Sequence, residues 1–318
     1  MERERSRQWA ERHQVAIYLL AIGAGAALGA LLPGAAPTLE VAVEPSIAAL
    51  LLVTFLGVPL RGIGPALGDR RFLLALLAVN FLVVTMIAWA LTRPLTGSPE
   101  LLIGALLVLL APCIDYVLVF TALAGGAHER LLAATPLLML AQMLALPVLV
   151  PLLSGGAAGL IDPLPFLRAF VLLIVLPLLA AALLQRFAPR LDLAPAMIPL
   201  MVLVLITVVA SQTPRVLGAG TALLAVVPVY LAFLLLATGA GILVSRLARL
   251  RTAAARALTF SGATRNSLVV LPLALAMPSA LVPAAVVTQP LVELLGMAVL
   301  VRVLPRLIRD GSRPPARS

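Results

Sequence analysis

The sequence predicts an all-α integral membrane protein with ten transmembrane helices, and two observations support this fold class. First, 62% of the 318 residues are hydrophobic and only 11% are charged, which leaves too few polar groups to cover a water-soluble domain. Second, Arg, Gly and Pro residues divide the chain into ten apolar stretches of roughly 20 residues, the length that crosses a bilayer. The predicted spans are 15–32, 45–60, 72–91, 100–123, 131–153, 165–185, 194–211, 219–245, 253–276 and 281–304.

Arginine is distributed unevenly between the two ends of these spans. All 23 basic residues are arginine, and 19 of them lie on the side that holds both termini, against three (Arg93, Arg168 and Arg215) on the other side. Cytoplasmic loops carry the excess of basic residues, so a multi-pass protein of the inner (plasma) membrane with both termini cytoplasmic is predicted. The arginines are scattered and aromatic residues make up only 4% of the chain, which argues against nucleic-acid binding.

The stretch SGGAAGLIDP at residues 154–163 divides five predicted spans from five others. An odd number of helices in each half reverses the topology of the second half, as in transporters built from inverted repeats. We therefore predict a first five-helix repeat at residues 1–153, a linker at 154–163 and a second, inverted repeat at 164–318.

The fourth span of each half is predicted to be broken. Span 4 contains Pro112, and span 9 contains the polar sequence SGATRNS at residues 261–267. Proline removes a backbone donor and disfavours helix at the residue before it. The irregular points, Pro112 and Thr264, lie close to half a chain length apart. Interrupted spans at matching places in two halves indicate a substrate site near the midplane of the membrane.

A charge at membrane depth costs roughly 2.5–3.5 kcal/mol, and four ionisable side chains need a partner or a cavity for this reason: Asp115, Arg265, Glu293 and Glu44. Glu44 lies near the outer end of span 2 and is expected to be interfacial. Asp115 and Arg265 would meet if the broken spans cross, either as a structural clamp or as part of a substrate site. Glu293 is either a hydrogen-bonded carboxyl group or a carrier of protons. The single cysteine, Cys113, is either an inert apolar side chain or a thiolate that binds a thiophilic solute.

The ten-span layout and three short stretches resemble the bile acid:sodium symporter superfamily, and more narrowly its arsenite efflux permeases. The sequence APC at 111–113 is similar to the APC of that family's broken helix 4. The sequence FSGATRN at 260–266 is similar to FTAASNN of its broken helix 9, and QPLVELLGMAVLV at 289–301 to GPLVEVPVLIALV of its helix 10. The resemblance implies a core domain in which helices 4 and 9 cross, a panel domain of helices 1, 2, 6 and 7, and a role for Cys113 in arsenite recognition.

The chain departs from the permeases at four positions. Ser267 and Leu268 stand where the permeases have phenylalanine and a functional glutamate, and Arg265 replaces an asparagine. Asp115 stands where they have a small apolar residue. The symporter branch uses the helix 9 glutamate for sodium, so its absence favours coupling to protons over coupling to sodium. The added aspartate and arginine suit a small anion.

These observations predict a secondary transporter that exports arsenite, antimonite or a small oxyanion by alternating access. The predicted substrate-binding residues are Cys113, Asp115, Arg265 and Asn266, and the predicted proton carrier is Glu293. The alternative is a sodium- or proton-coupled symporter of organic anions, in which Arg265 binds a carboxylate. The predicted partners are this solute, protons and the lipid bilayer.

An integral membrane enzyme is the alternative from another class. The chain has two histidines, both outside the predicted spans, and it has no HExxH motif and no glycine-rich phosphate loop. The sequence therefore favours translocation over catalysis, and we predict neither a cofactor nor a metal site.

Overall fold

A computed structural model describes most of the chain, with gaps. The described residues are 2–57, 68–114, 116–155, 157, 164, 167–168, 171–188, 193–218, 220–277 and 279–309. These residues are almost entirely helical, and the one β-bridge among them joins Pro112 to Arg265. The all-α prediction is therefore confirmed for the described part of the chain.

Six helices within the described ranges are long and apolar enough to cross a membrane. They are Pro33–Gly57, Arg70–Leu95, Leu137–Ser154, Met197–Arg215, Thr221–Leu247 and Leu281–Leu307. Shorter apolar helices at Ala16–Leu31, Pro99–Leu109 and Leu176–Phe187 overlap three further predicted spans. A multi-pass membrane protein is thus supported, while the full count of ten spans in two repeats stays a prediction.

The described residues contain thirteen α-helices. In chain order they are α1 (Glu2–Leu31), α2 (Ala36–Gly57), α3 (Arg70–Ala78), α4 (Val84–Thr92), α5 (Pro99–Leu109), α6 (Val117–Leu123), α7 (His128–Ser154), α8 (Leu176–Phe187), α9 (Met197–Gly218), α10 (Val226–Leu247), α11 (Thr252–Ala263), α12 (Ser267–Leu275) and α13 (Leu281–Leu307). The predicted linker at 154–163 lies outside the described residues except for 154, 155 and 157.

A π-helical turn at Val79–Val83 joins α3 to α4. The helix before it begins at Arg70, and the carboxylate of Asp69 caps it by accepting a hydrogen bond of 3.2 Å from the backbone N–H of Phe72. The turn places Asn80 in the protein interior, with 1% of its surface exposed. Single π turns within α-helices are frequent at functional sites.

Large apolar side chains cover much of the outer surface. Leu74, Leu144, Leu235 and Leu295 each expose at least 67% of their surface, although all four lie within helices. In water, a protein with such a surface would aggregate, whereas the apolar chains of lipids can pack against it. The exposed leucines therefore agree with a protein whose solvent is the bilayer.

Two glycines bring α1 and α9 into close contact. A Cβ atom on Gly25 would lie 3.0 Å from the carbonyl oxygen of Ile206, and one on Gly29 would lie 2.7 Å from Cβ of Thr213. A Cβ on Gly29 would also overlap the carbonyl oxygen of Ala210. Small residues spaced four apart let membrane helices approach closely, so this pair of glycines fixes how α1 packs on α9.

We expect Gly29→Val to destabilise the protein, because the added atoms meet backbone that cannot move aside. Overpacking of this kind costs about 1–3 kcal/mol. Gly23→Val is the matched control, since a Cβ at Gly23 in the same helix would meet nothing within 4 Å. Thermal unfolding in detergent should show a lower midpoint for Gly29→Val only, and equal shifts in the two variants would contradict this account of the packing.

Candidate functional site

The two helix breaks are in direct contact. The backbone N–H of Asn266 donates to the carbonyl oxygen of Ala111 at 2.8 Å, and the N–H of Cys113 donates to that of Thr264 at 3.4 Å. We call this contact, between residues 111–113 and residues 264–266, the crossing. It satisfies backbone groups that the broken helices cannot satisfy themselves, as a membrane interior requires.

Each break has a local cause in the sequence. Pro112 lies between the end of α5 at Leu109 and the start of α6 at Val117, and proline cannot donate to a helical ladder. Thr264 follows α11 with extended backbone angles of φ −96° and ψ 140°. Its hydroxyl donates to the carbonyl oxygen of Phe260 at 2.6 Å, so the side chain bonds to the last turn of the helix that it ends.

The guanidinium of Arg265 lies at the crossing, surrounded by oxygen atoms, with none of its surface exposed. Its Nη2 donates to Oδ1 of Asn80 at 2.9 Å and to the carbonyl oxygens of Ser261 and Gly262 at 2.7 and 2.8 Å. Its Nη1 donates to the carbonyl oxygen of Leu109 at 3.4 Å. We call these four oxygens the oxygen cage.

The oxygen cage carries partial negative charge. Ser261 and Gly262 lie in the last turn of α11, and Leu109 is the last residue of α5. The C-terminal ends of helices attract cations because their last carbonyl groups lack helical partners. The ring of Phe233 adds a cation–π contact, with its centroid 5.5 Å from the Arg265 guanidinium carbon.

Asp115, the predicted partner of Arg265, lies outside the described residues. Their pairing stays a prediction. The hydrogen bonds that the structure describes for the Arg265 guanidinium are made to neutral oxygen atoms. Its Nε has no hydrogen-bond partner among the described residues.

The carboxyl group of Glu293 connects the two breaks. It extends from α13 with 2% of the residue exposed. Its Oε2 accepts the backbone N–H of Arg265 at 2.8 Å and a bond from the side-chain amide of Gln289. Its Oε1 lies 2.7 Å from the hydroxyl of Tyr116, one residue before α6. Glu293 therefore fixes the position of both broken helices relative to α13.

Cys113 and Asn266 are both buried at the crossing. Cys113 exposes none of its surface, and Asn266 exposes 1%. The amide oxygen of Asn266 accepts the backbone N–H of Val269 at 3.1 Å, which caps the start of α12. In this conformation the Asn266 side chain acts as the N-cap of α12.

Three polar residues of this site were not selected from the sequence: Asn80, Tyr116 and Gln289. Asn80 is an isolated amide within the apolar run LLAVNFLVV, and polar side chains at membrane depth normally have a functional or structural partner. The isolation of Asn80 in this run was the feature of the sequence that could have identified it as a site residue. For Tyr116 and Gln289, closeness to a predicted site residue was the only indication.

An apolar cavity lies beside the crossing, between α1 and α9 on one side and α12 and α13 on the other. Met201 and Leu205 belong to its apolar wall, and Tyr116 and Ser267 are its polar residues nearest the breaks. Its volume is about 40 Å³, enough for a few water molecules at roughly 10–15 Å³ each. The cavity must widen before it can hold an organic solute.

Among the described residues, no group of three or more His, Cys, Asp or Glu side chains could hold a metal ion.

Comparison with known proteins identifies a family for the chain. No curated protein is significantly similar to the chain. The sequence model of the Sodium Bile acid symporter family matches residues 45–214, which is more than half of the 318 residues. The match includes the first break, while Arg265 and Glu293 lie beyond it. Members of this family are membrane transporters. The chain belongs to the Sodium Bile acid symporter family.

Proposed function

We propose that this protein is a secondary transporter of amphipathic organic anions, which pass through the apolar cavity beside the crossing. The observation that carries the proposal is the composition of the cavity wall. It is mostly apolar, and of its three residues with a hydroxyl group, Tyr18, Tyr116 and Ser267, the last two adjoin the helix breaks. Ser267 is the first residue of α12, and the N-terminus of a helix favours negative charge. An apolar body with one anionic group fits this arrangement.

Transport by this route requires movement. The cavity of about 40 Å³ is far smaller than the roughly 300–1,000 Å³ of typical ligand pockets. The α1–α9 pair forms one wall and is joined by the close glycine contacts at Gly25 and Gly29. We propose that this pair moves as a unit against the crossing and opens the cavity to each side in turn, as in transporters built from repeats.

Contacts between helix ends support the ten-span topology. Each joins two helix ends that this topology places on the same side of the membrane. On the predicted cytoplasmic side, Asp69 pairs with Arg130, and Arg256 donates to the carbonyl oxygen of Ile308 at 2.8 Å. On the other side, Glu40 pairs with Arg215 at 2.6 Å, and Arg93 donates to the carbonyl oxygen of Leu153 at 2.8 Å.

We propose protons as the coupling ion and Glu293 as their carrier. The Tyr116 hydroxyl lies 2.7 Å from Oε1 of Glu293 and 2.8 Å from the carbonyl oxygen of Arg265. A hydroxyl has one proton and can fully satisfy only one of these acceptors. A proton on Oε1 of Glu293 allows both hydrogen bonds to form. The carboxyl group then donates to the Tyr116 oxygen, and the Tyr116 hydroxyl donates to the carbonyl oxygen of Arg265. Protonation of Glu293 would thereby change the bonding between the two breaks.

We expect Leu205→Trp to reduce uptake of an organic anion strongly, because Leu205 lines the cavity and the indole would fill it. Leu203→Trp is the matched control, since Leu203 lies on the same helix with 50% of its surface exposed. Uptake of labelled cholate into proteoliposomes under imposed proton or sodium gradients measures the effect. Absence of uptake in the unmodified protein, or equal uptake by both variants, would contradict the proposed route.

Arsenite efflux is the second candidate function, and the position of Cys113 supports it. A thiol at the crossing would lie on the path of a thiophilic solute once the helices separate. In this case expression should protect an arsenite-sensitive bacterial strain, and Cys113→Ser should abolish the protection at unchanged protein level. Full protection by Cys113→Ala would instead identify the cysteine as an apolar filler, its usual role in apolar helices.

A further inference from the structure

We propose that the guanidinium of Arg265 is a covalently attached substitute for a bound alkali cation, and that the oxygen cage around it becomes a sodium site when this side chain is removed. The site would consist of Oδ1 of Asn80 and the carbonyl oxygens of Leu109, Ser261 and Gly262. In the unmodified protein the arginine would occupy it permanently.

The chemistry of the cage is that of a cation site. All four groups are uncharged oxygen donors, and three are carbonyl oxygens at the ends of α5 and α11. Unwound carbonyls and the C-terminal ends of half-helices are the groups that coordinate sodium in transporters with broken helices. The negative ends of two helices are directed at one point, so a positive charge there is favoured whether it is free or attached to the chain.

The cage is held in place by contacts that do not involve Arg265. The side-chain nitrogen of Asn80 donates to the carbonyl oxygen of Leu76 and to the hydroxyl of Ser261, both at 3.0 Å. These two bonds fix which end of the amide is the oxygen and direct Oδ1 towards the guanidinium. Asn80 therefore presents an oxygen ligand whether or not the arginine is present.

The arginine cannot serve as a free anion site in this conformation. It exposes none of its surface, and its Nη2 already donates to three oxygens of the cage. Arginine stays charged under all physiological conditions, so a charge in the cage would never leave during transport. A transporter with this residue would carry its solute without binding sodium in the cage, although it belongs to a family named for sodium symport.

Thermal unfolding of purified variants in detergent tests the proposal. Arg265→Ala empties the cage, so we expect sodium to raise its unfolding midpoint by several degrees at constant ionic strength, with choline as the replacing cation. The unmodified protein should not respond. Arg265→Met is the matched control, because its apolar side chain fills the space without charge. Arg265→Ala combined with Asn80→Leu loses one ligand and should also lose the response to sodium.

Arg265→Asn serves as a second variant because its side chain adds an oxygen ligand to the cage and changes the side-chain volume less than Arg265→Ala does. If Arg265→Ala folds poorly, sodium in the growth medium and buffers should restore folding of one of the two variants. The proposal is overturned by failure of both variants to fold in sodium, by equal responses to sodium and choline, or by a sodium response of the unmodified protein. These binding measurements do not require transport.

A transport measurement extends the test and rests on the proposed function. Uptake of labelled cholate by Arg265→Ala should depend on sodium, while uptake by the unmodified protein should not. If neither protein transports cholate but Arg265→Ala is stabilised by sodium, the proposed solute is wrong and the cation site stands. If uptake by both proteins ignores sodium and no stabilisation occurs, the cation site is wrong.

Discussion

Replacing Glu293 by alanine is expected to prevent stable folding, whereas replacing it by glutamine is expected to preserve folding and abolish proton-driven transport. The alanine variant leaves two buried donors without their acceptor, the N–H of Arg265 and the side-chain amide of Gln289. It also removes one of the two oxygens that the Tyr116 hydroxyl contacts. Each unsatisfied buried group costs about 1–3 kcal/mol, and two such groups amount to a large part of the stability of many domains.

Glutamine can reproduce the bonding of a protonated carboxyl group at this position. Its oxygen can accept the bonds from Arg265 and Gln289, and its NH₂ group can donate to the oxygen of Tyr116. Tyr116 then donates to the carbonyl oxygen of Arg265, which lies 2.8 Å away. The glutamine variant therefore keeps the bonds around this position but cannot release a proton.

Two measurements separate these effects. Thermal unfolding should show a large loss for Glu293→Ala and a small change for Glu293→Gln. In proteoliposomes, Glu293→Gln should lose uptake driven by a pH gradient and keep exchange of labelled for unlabelled cholate across the membrane. Gradient-driven uptake at the unmodified level in Glu293→Gln would remove Glu293 from coupling. Equal stability of the two variants would show that the bonds around Glu293 contribute little.

The positions of the helix breaks could be predicted because local chemistry determines them. Pro112 interrupts the hydrogen bonding of any helix, and the polar run at 261–267 is unfavourable in an apolar span. The sequence also directed attention to Arg265 and Glu293, since a charge in lipid needs a partner. Each of these arguments uses one residue and its immediate neighbours.

The partners of Arg265 could not be predicted in the same way. Asn80 is 185 positions away in the chain, and no local pattern relates the two residues. The other ligands are backbone carbonyls that only the broken helices make available, so a search for side chains of opposite charge overlooks them. The cavity depends on the packing of α1 and α9 against α12 and α13, which are distant in sequence.

Asn80→Leu is expected to destabilise the protein by about 2–4 kcal/mol, because it leaves the buried guanidinium of Arg265 with one acceptor fewer and the hydroxyl of Ser261 without its donor. Arg265→Met alone should also cost stability, since it leaves Oδ1 of Asn80 unsatisfied. The double variant replaces both polar groups with apolar ones of similar size. We therefore expect it to be more stable than the sum of the two single losses predicts.

A double-mutant cycle on the midpoint of thermal unfolding measures this coupling. Thr85→Ala is the control for Asn80→Leu, because the Thr85 hydroxyl bonds only to the carbonyl oxygen of Phe81 among the described contacts and should not couple to Arg265. The same cycle with Asp115→Asn tests the pair predicted from the sequence. Coupling of Arg265 to Asn80 but not to Asp115 would mean that neutral oxygens hold the arginine. Strong coupling to Asp115 alone would show that charge pairing, and not the oxygen cage, offsets the free-energy cost of burying the Arg265 guanidinium.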